Sequence, residues 1–409
     1  MKAFKYIFSC LVLCLLFACK PDPMPSDDPV QPVDTTHVVI DTTTIIVDTT
    51  IVIVDTTNII VDTTNIIVDT VVPRKGVLVL NEGNFTYANA SLTFYDPETN
   101  EVKNNVFMEA NDVPIGDVGQ SLTLLDGKLY IVVNNSNYIY KADAETFVCD
   151  LDQPYMISGF NSPRIMLPVA PDKAYVSDIV GTNLWVINPQ TMTHTGTVAM
   201  GKSTEHMLRV GDALFVTNWS RYYVPGMVNN TVQVVDINSD TKVADIEVGY
   251  EPNFLVLDKN GYIWVMCEGD VNDPTIPSEL WKIDPVSKTG TKVKAFEEKD
   301  PVTQMYLKSL NLAIDPTGTY LYFVYGGDWT VGGDVRRINV DSPEEMDDFV
   351  ISGADKMFYK LSVDPFNGDL YVTDAKSYVQ DGTVYRYSAQ GTLLNSFDAG
   401  ICPGYILFY

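Results

Sequence analysis

Histidine is almost missing from this chain: there are three in 409 residues, His37, His194 and His206. None has a cysteine or a second histidine at ligand spacing, which argues against a zinc site of the usual kind. Cysteine is also scarce. Of the six, Cys10, Cys14 and Cys19 lie in the first nineteen residues, leaving Cys149, Cys267 and Cys402 with no CxxC pair. Three thiols cannot all pair within one chain, so this is no disulfide scaffold, and buried free thiols are expected at Cys149 and Cys267. Positive charge is short: 27 Lys and Arg stand against 53 Asp and Glu, a formal net charge of −26. That balance argues against nucleic acid and anionic membrane surfaces as partners. No G-x-S-x-G elbow, phosphate loop or EF-hand pattern is present. The run Asp270-Val271-Asn272-Asp273 reads as an Asx-turn, not a calcium site, and no metal is expected. No long stretch shows a helical period. The expectation is therefore a protein without catalytic residues or a cofactor.

The first residues look like an address. Residues 1–18 place Lys2 and Lys5 before an apolar core from Ile7 to Phe17, too short for a comfortable membrane span and patterned as a secretory signal. Leu16-Phe17-Ala18-Cys19 resembles the lipobox of bacterial lipoproteins, which implies a lipidated Cys19. Asp22, Asp27 and Asp28 resemble a surface-export signal. The expected location is the outer membrane, lipid-anchored and facing outward.

Residues 19–73 form a linker. Asp34, Asp41, Asp48, Asp55, Asp62 and Asp69 are spaced by seven within repeats such as Val-Asp-Thr-Thr-Asn-Ile-Ile. A heptad suggests a coiled coil, but Thr and β-branched residues fill it and no Leu seam or Glu/Lys flank exists. An extended stalk with local strand pairing is expected, each Asp acting as a gatekeeper against stacking of the apolar triplets.

From residue 74 to 409 one unit recurs. It is clearest from Leu122 to Ala144: an apolar strand, a turn at Asp126-Gly127, the strand Leu129–Val133, an Asn/Ser loop and a third strand ending at Asp143. The third strand ends at Asp96, Asp143, Asn188, Asp236, Asp284, Asn339 and Ser388, seven copies spaced roughly 45 to 55 residues apart. Each follows a strand like Leu129–Val133: Val77–Leu80, Ala174–Ser177, Leu214–Thr217, Ile263–Met266, Leu321–Val324 and Leu370–Thr373. Seven four-stranded units predict an all-β, seven-bladed β-propeller. Lys75-Gly76 runs straight into a second strand, while Pro403–Phe408 is a spare inner strand. The C-terminal strand should therefore complete the first blade and close the ring.

In a propeller, the loops between second and third strands share one face with the joints between blades. Here those loops carry Asn84 and Tyr87; Asn135, Asn137 and Tyr138; Trp219, Arg221, Tyr222 and Tyr223; Trp329; and Tyr378. The joints add Gln120, Arg164, His206, Asn253, Tyr359 and Tyr405. Amides and hydroxyls offer donors and acceptors, and aromatic rings offer rigid apolar area. The set suits a large neutral ligand with many polar edges. Any single member is better read as a turn former or as packing between blades; the set, with Trp219, Tyr222, Tyr223 and Trp329 in longer loops, reads as a binding face.

The stretches VLVLNEGNFTYANASLTFYDPETNEVKNNVF from residue 77 and GDVGQSLTLLDGKLYIVVNNSNYIYKAD from residue 116 resemble the YncE-like propeller lipoproteins of Bacteroidetes, the BtuG-type among them. The resemblance implies capture of cobalamin or a related corrinoid and its transfer to a TonB-dependent outer-membrane transporter. A corrinoid is a large ring edged with amides and faced with methyls, and no covalent chemistry is needed to hold it. A glycan-binding lipoprotein of a polysaccharide-uptake system would use much the same residues. A lactonase- or lyase-like propeller enzyme would need a metal or an acid–base cluster at the axis.

Overall fold

The computed structural model describes residues 76–150, 154–219, 228–270, 273–326 and 332–409, together with the backbone of short strands between Val38 and Ile66. The signal segment, Cys19, Arg221, Tyr222, Tyr223 and Trp329 lie outside the described residues. The chain divides into two compact units between Pro73 and Arg74. In the first, the backbone pairs Val38–Ile40 with Thr57–Ile59, Thr43–Val47 with Thr50–Val54, and Val61–Asp62 with Asn65–Ile66.

The second unit is an all-β, seven-bladed propeller. Its first blade has the spatial order Pro403–Phe408, Val77–Asn81, Ser91–Tyr95, Val102–Lys103, so the last strand of the chain is the innermost strand of the first sheet. The second blade has three strands: Gly119–Leu125, Lys128–Val133 and Tyr138–Asp143. Two isolated bridges, Ala142 to Cys149 and Ile139 to Tyr155, stand where its fourth strand was expected. Cys149 is accordingly only half-buried, whereas Cys267 and Cys402 are buried; all three thiols are free. The next five blades each carry four strands in chain order, beginning at Pro163, Met207, Pro252, Ser309 and Phe358.

The second strand of each blade is buried on both sides because neighbouring blades cover its two faces. Val77–Leu80, Leu129, Ile131–Val133 and Ile263–Cys267 have no exposed surface. That is why these strands read as continuous apolar runs and not as alternating ones. The core is divided into seven apolar clusters, one in each gap between adjacent blades. The gap between last and first is filled by Val77, Val79 and Tyr95 packed against Tyr371, Val384 and Phe397. Tyr95 and Phe397 stack at 4.3 Å.

In the first five blades the Asp or Asn that closes the third strand shapes the following turn. The Asp96 carboxylate accepts the amides of Glu98 and Thr99 at 2.8 and 3.3 Å. Asp143, Asn188, Asp236 and Asp284 repeat the pattern on the residues two and three positions on. In each turn the chain then passes through a left-handed residue: Asn100, Phe147, Met192, Asp240 and Lys288. The side-chain oxygen substitutes for a backbone acceptor and offsets that conformation.

Candidate functional site

Every inner strand enters from the face that carries the loops between second and third strands, and each is irregular at its entry. Register shifts fall between Gly119 and Ser121, Pro163 and Met166, Pro252 and Phe254, Leu310 and Ala313, Phe358 and Leu361, and Pro403 and Tyr405. In the fourth blade two residues oppose one: Glu205 N–H donates to the Thr217 carbonyl at 3.0 Å, and Thr217 N–H to the His206 carbonyl at 2.9 Å. A bulge re-aims the side chain of the extra residue. Six of these bulges carry Gln120, Arg164, His206, Asn253, Asn311 and Tyr359, and the seventh carries Gly404; the repetition of polar residues around the ring builds a polar mouth on the axis.

Hydroxyls on the second strands hold three of the bulges. The amides of Ile165, His206 and Lys360 donate to Ser177 Oγ, Thr217 Oγ1 and Thr373 Oγ1 at 3.0, 2.9 and 3.0 Å. The adjoining Asp or Asn clamps the incoming joint. Asp178 accepts the Asn161 amide, Asp374 accepts the Met357 amide, and Asn218 Nδ2 donates to the Ser203 carbonyl.

Within the mouth, Arg164 Nε donates to both oxygens of Glu205 at 3.0 and 2.8 Å, and its Nη1 donates to Gln120 Oε1. The guanidinium lies 5.9 Å from the centre of the Trp219 ring. Trp219 Nε1 donates to Glu268 Oε2 at 2.9 Å, and Asn253 Nδ2 donates to Glu268 Oε1 at 2.8 Å. Lys308 Nζ donates to the Glu268 carbonyl at 3.2 Å. On the other side of the ring, Tyr359 O–H donates to Glu82 Oε2 at 2.8 Å, and Tyr378 meets the Tyr359 ring edge-on at 5.8 Å. The carboxylates of Glu82 and Glu268 are thus met by neutral donors, and that of Glu205 by a cation.

The electrostatics follow from this enclosure. Burial raises Glu268 above the ordinary carboxylate value, against the pull of Asn253, Trp219 and the Lys360 charge. Burial lowers Lys308 despite Glu251 and Glu268 nearby. Burial, then the Lys360 and Arg164 charges, push His206 down to about 3, so its ring is neutral at ordinary pH. Burial works against the Arg164 charge, yet Glu205 holds it above its usual value.

The structure distributes the sequence-derived candidates unevenly. Tyr87 is 74% exposed beside Phe85 at 67%, on the first blade's loop. Asp117 shapes that loop: both its oxygens accept the Thr86 amide at 2.9 Å, and Asn135 Nδ2 donates to it as well. Trp219 and Tyr378 are half-buried at the mouth. Asn84 braces its own loop, donating to the Tyr378 carbonyl and pairing with Asn89. Asn137 is the left-handed residue of its turn. Tyr138 donates to the Ile115 carbonyl at 2.8 Å and packs against Tyr140 at 5.2 Å. The joint residues Gln120, Arg164, His206, Asn253 and Tyr359 do converge. Sequence reasoning passed over Asp117, Glu205, Phe254, Lys308 and Lys360. Aligning the seven strand entries would have drawn attention to Glu205 and Lys360, which flank His206 and Tyr359. Nothing in the local sequence marks Asp117. Among the described residues no group of three or more His, Cys, Asp and Glu is placed to hold a metal ion.

Comparison with known proteins gives a family and a fold. The profile described as "Domain of unknown function (DUF5074)" matches residues 75–401. No curated protein matches the chain. Among solved structures, a quinoprotein alcohol dehydrogenase-like protein from Bacteroides thetaiotaomicron superposes with a TM-score of 0.62 at 16% identity, over 82% of this chain and 78% of that one. A putative 6-phosphogluconolactonase from Bacteroides fragilis gives 0.57 at 12% identity, over 82% and 98%. The periplasmic gluconolactonase of Pseudomonas aeruginosa gives 0.58 at 12% identity, over 81% and 99%. At these identities the likeness is one of fold.

Proposed function

This chain belongs to the DUF5074 family, a family described only as a domain of unknown function, and on that footing we propose that it is a capture protein whose loop face binds a large, amide-edged ligand, cobalamin or a related corrinoid. The observation that carries the reading is the pairing of two surfaces on one face. One is the axial mouth, where Arg164 fixes the Gln120 amide through its oxygen, and Glu268 fixes the Asn253 amide and the Trp219 ring; each amide keeps an N–H to give. The other is exposed apolar area, Phe85 and Tyr87 on a loop pinned by Asp117, with Met156 at 64% exposure on the joint entering the third blade. A corrinoid presents amides at its rim and methyl groups on its faces. Fixed donors answer the first and aromatic rings, with few rotatable bonds to order, answer the second.

The reading assigns no catalytic step and no resident cofactor. It places the chain at the outer membrane through a lipid on Cys19, with the repeats of residues 19–73 as spacer. Its partner is a TonB-dependent transporter that receives the ligand. The lipobox-like Leu16-Phe17-Ala18-Cys19 and the acidic residues behind it support that placement.

Calorimetric titration with cyanocobalamin tests it. Expected is a one-to-one isotherm weakened at least about tenfold by Trp219→Ala and by Tyr87→Ala, since buried aromatic anchors dominate such contacts. Tight binding that survives both changes keeps the function and moves the site. Absence of heat and of any thermal shift at high ligand rejects the corrinoid, and a glycan panel on the same protein then tests the polysaccharide reading.

A further inference from the structure

Three polar side chains at the axis are left without a hydrogen-bond partner among the described residues, although their neighbours are paired. The first is Lys360, from the inner strand of the seventh blade. Its ammonium lies 5.0 Å from the centre of the Tyr359 ring and 5.9 Å from that of Phe254, which belongs to the fifth blade, so it reaches across the axis. Ring faces attract a cation but cannot accept its three N–H bonds. The second is His206, whose ring lies 4.5 Å from that same Phe254 and whose nitrogens meet no acceptor. The third is Tyr405, on the closing strand. It packs against the apolar cluster between the third and fourth blades, so it too crosses the axis, and its hydroxyl has no partner.

The other charged groups facing this space are already matched. Arg164 is bound to Glu205, Lys308 to the Glu268 carbonyl, Glu82 to Tyr359, and Glu268 to Trp219 and Asn253. Glu251 also stands near Lys308, and among these cations Lys360 is the one with no carboxylate in hydrogen-bond or ion-pair contact among the described residues. A partly buried ammonium whose closest described contacts are ring faces, with Glu268 near enough to feel its charge but not bonded to it, is stabilised by an acceptor that brings negative charge.

We propose that the axial mouth is a receptor for a singly charged oxyanion, a carboxylate or phosphodiester group, bound by the Lys360 ammonium with the Tyr405 hydroxyl and the His206 ring as flanking donors. The ring of His206, kept neutral by burial and by the Lys360 and Arg164 charges, carries one N–H to give. The carboxylates already around this space, Glu82, Glu205, Glu251 and Glu268, favour one added negative charge over two. This site does not depend on the identity of the larger ligand, and it stands or falls separately from the corrinoid reading.

Nuclear magnetic resonance of protein labelled at histidine nitrogen tests it, with His206 assigned by the signal that His206→Gln removes. The probes are acetate, diethyl phosphate and, as a neutral acceptor of similar shape, acetamide, against sodium chloride at matched ionic strength. Expected is a saturable shift of the His206 signal with acetate or diethyl phosphate and none with acetamide or chloride; which anion binds tighter names the group. Lys360→Met should weaken binding at least about tenfold and Tyr405→Phe about threefold, the usual scale for charged and neutral hydrogen bonds. A His206 signal that no anion moves, or that acetamide moves equally, overturns the proposal on the parent protein alone. Undiminished anion binding by a Lys360→Met variant that melts like the parent also overturns it.

Discussion

The amide of Gly76 donates to the carbonyl of Tyr409 at 2.9 Å, and the amide of Tyr409 returns a bond to the carbonyl of Gly76 at 3.1 Å. The first and last residues of the propeller are thereby locked, and Pro403–Phe408 pairs along Val77–Asn81. Removing residues 403–409 strips an inner strand from the first blade. It uncovers apolar contacts made by Tyr405, Ile406, Leu407 and Phe408, on the order of 6 kcal/mol by area. Domain stability is about 5–15 kcal/mol in total. The truncated chain should lose its cooperative melting transition by circular dichroism; a melting curve like the parent's would contradict closure by this strand.

Thr217 serves two blades at once. Its hydroxyl accepts the bulge amide of His206 at 2.9 Å and donates to the Asn253 carbonyl of the next blade at 3.0 Å. Thr217→Val keeps the shape and leaves both groups unmatched, which should lower stability by about 1–3 kcal/mol in denaturant titration. Ser177→Ala should lose less, about 1 kcal/mol, because Ser177 holds a bulge only within its own blade.

Asp117 holds the loop of Phe85 and Tyr87 from beneath. Asp117→Ala removes the acceptor for the Thr86 amide and for Asn135. Hydrogen exchange should speed up selectively over residues 84–90, with a loss of about 1–3 kcal/mol for a charged acceptor. If Tyr87 contributes as proposed, ligand affinity should fall in this variant although no contacting side chain has changed.

Glu268 should give the stability a measurable pH signature. Burial raises its folded-state value above the ordinary one, so the folded protein binds this proton more tightly than the unfolded chain. Its contribution is present below the ordinary glutamate value and is lost as pH rises through the raised folded value. Glu268→Gln should therefore show a smaller drop in melting temperature than the parent between about pH 4 and about pH 8. Identical pH dependence in parent and variant would contradict the enclosure described for this carboxyl.

Much of the architecture is legible in the chain because its signals are local. The continuous apolar strands, the acids at Asp96, Asp143, Asp236 and Asp284, and the spare strand before Tyr409 each report a backbone state set by a few neighbours. The three-stranded second blade was not legible: Cys149 and Tyr155 form single bridges where the period led one to expect a strand. Loop chemistry was a weaker guide. Asn137 and Tyr138 look like ligand donors in sequence, but one is the left-handed residue of a turn and the other is bonded to the Ile115 carbonyl. A local pattern cannot distinguish an amide that shapes a turn from one that faces a ligand.

The sequence by itself determined the repeat, the strand order and the ring closure, since burial on both faces and turn chemistry act over a few residues. Only the tertiary structure decided which polar groups meet. Arg164 finds Glu205 across 41 positions, Trp219 finds Glu268 across 49, and Tyr359 finds Glu82 across 277. Bulges turn Arg164 and Tyr359 inward from their strand entries, loops after second strands bring Trp219, Glu268 and Glu82 to the same axis, and the position of that axis is a property of all seven blades together.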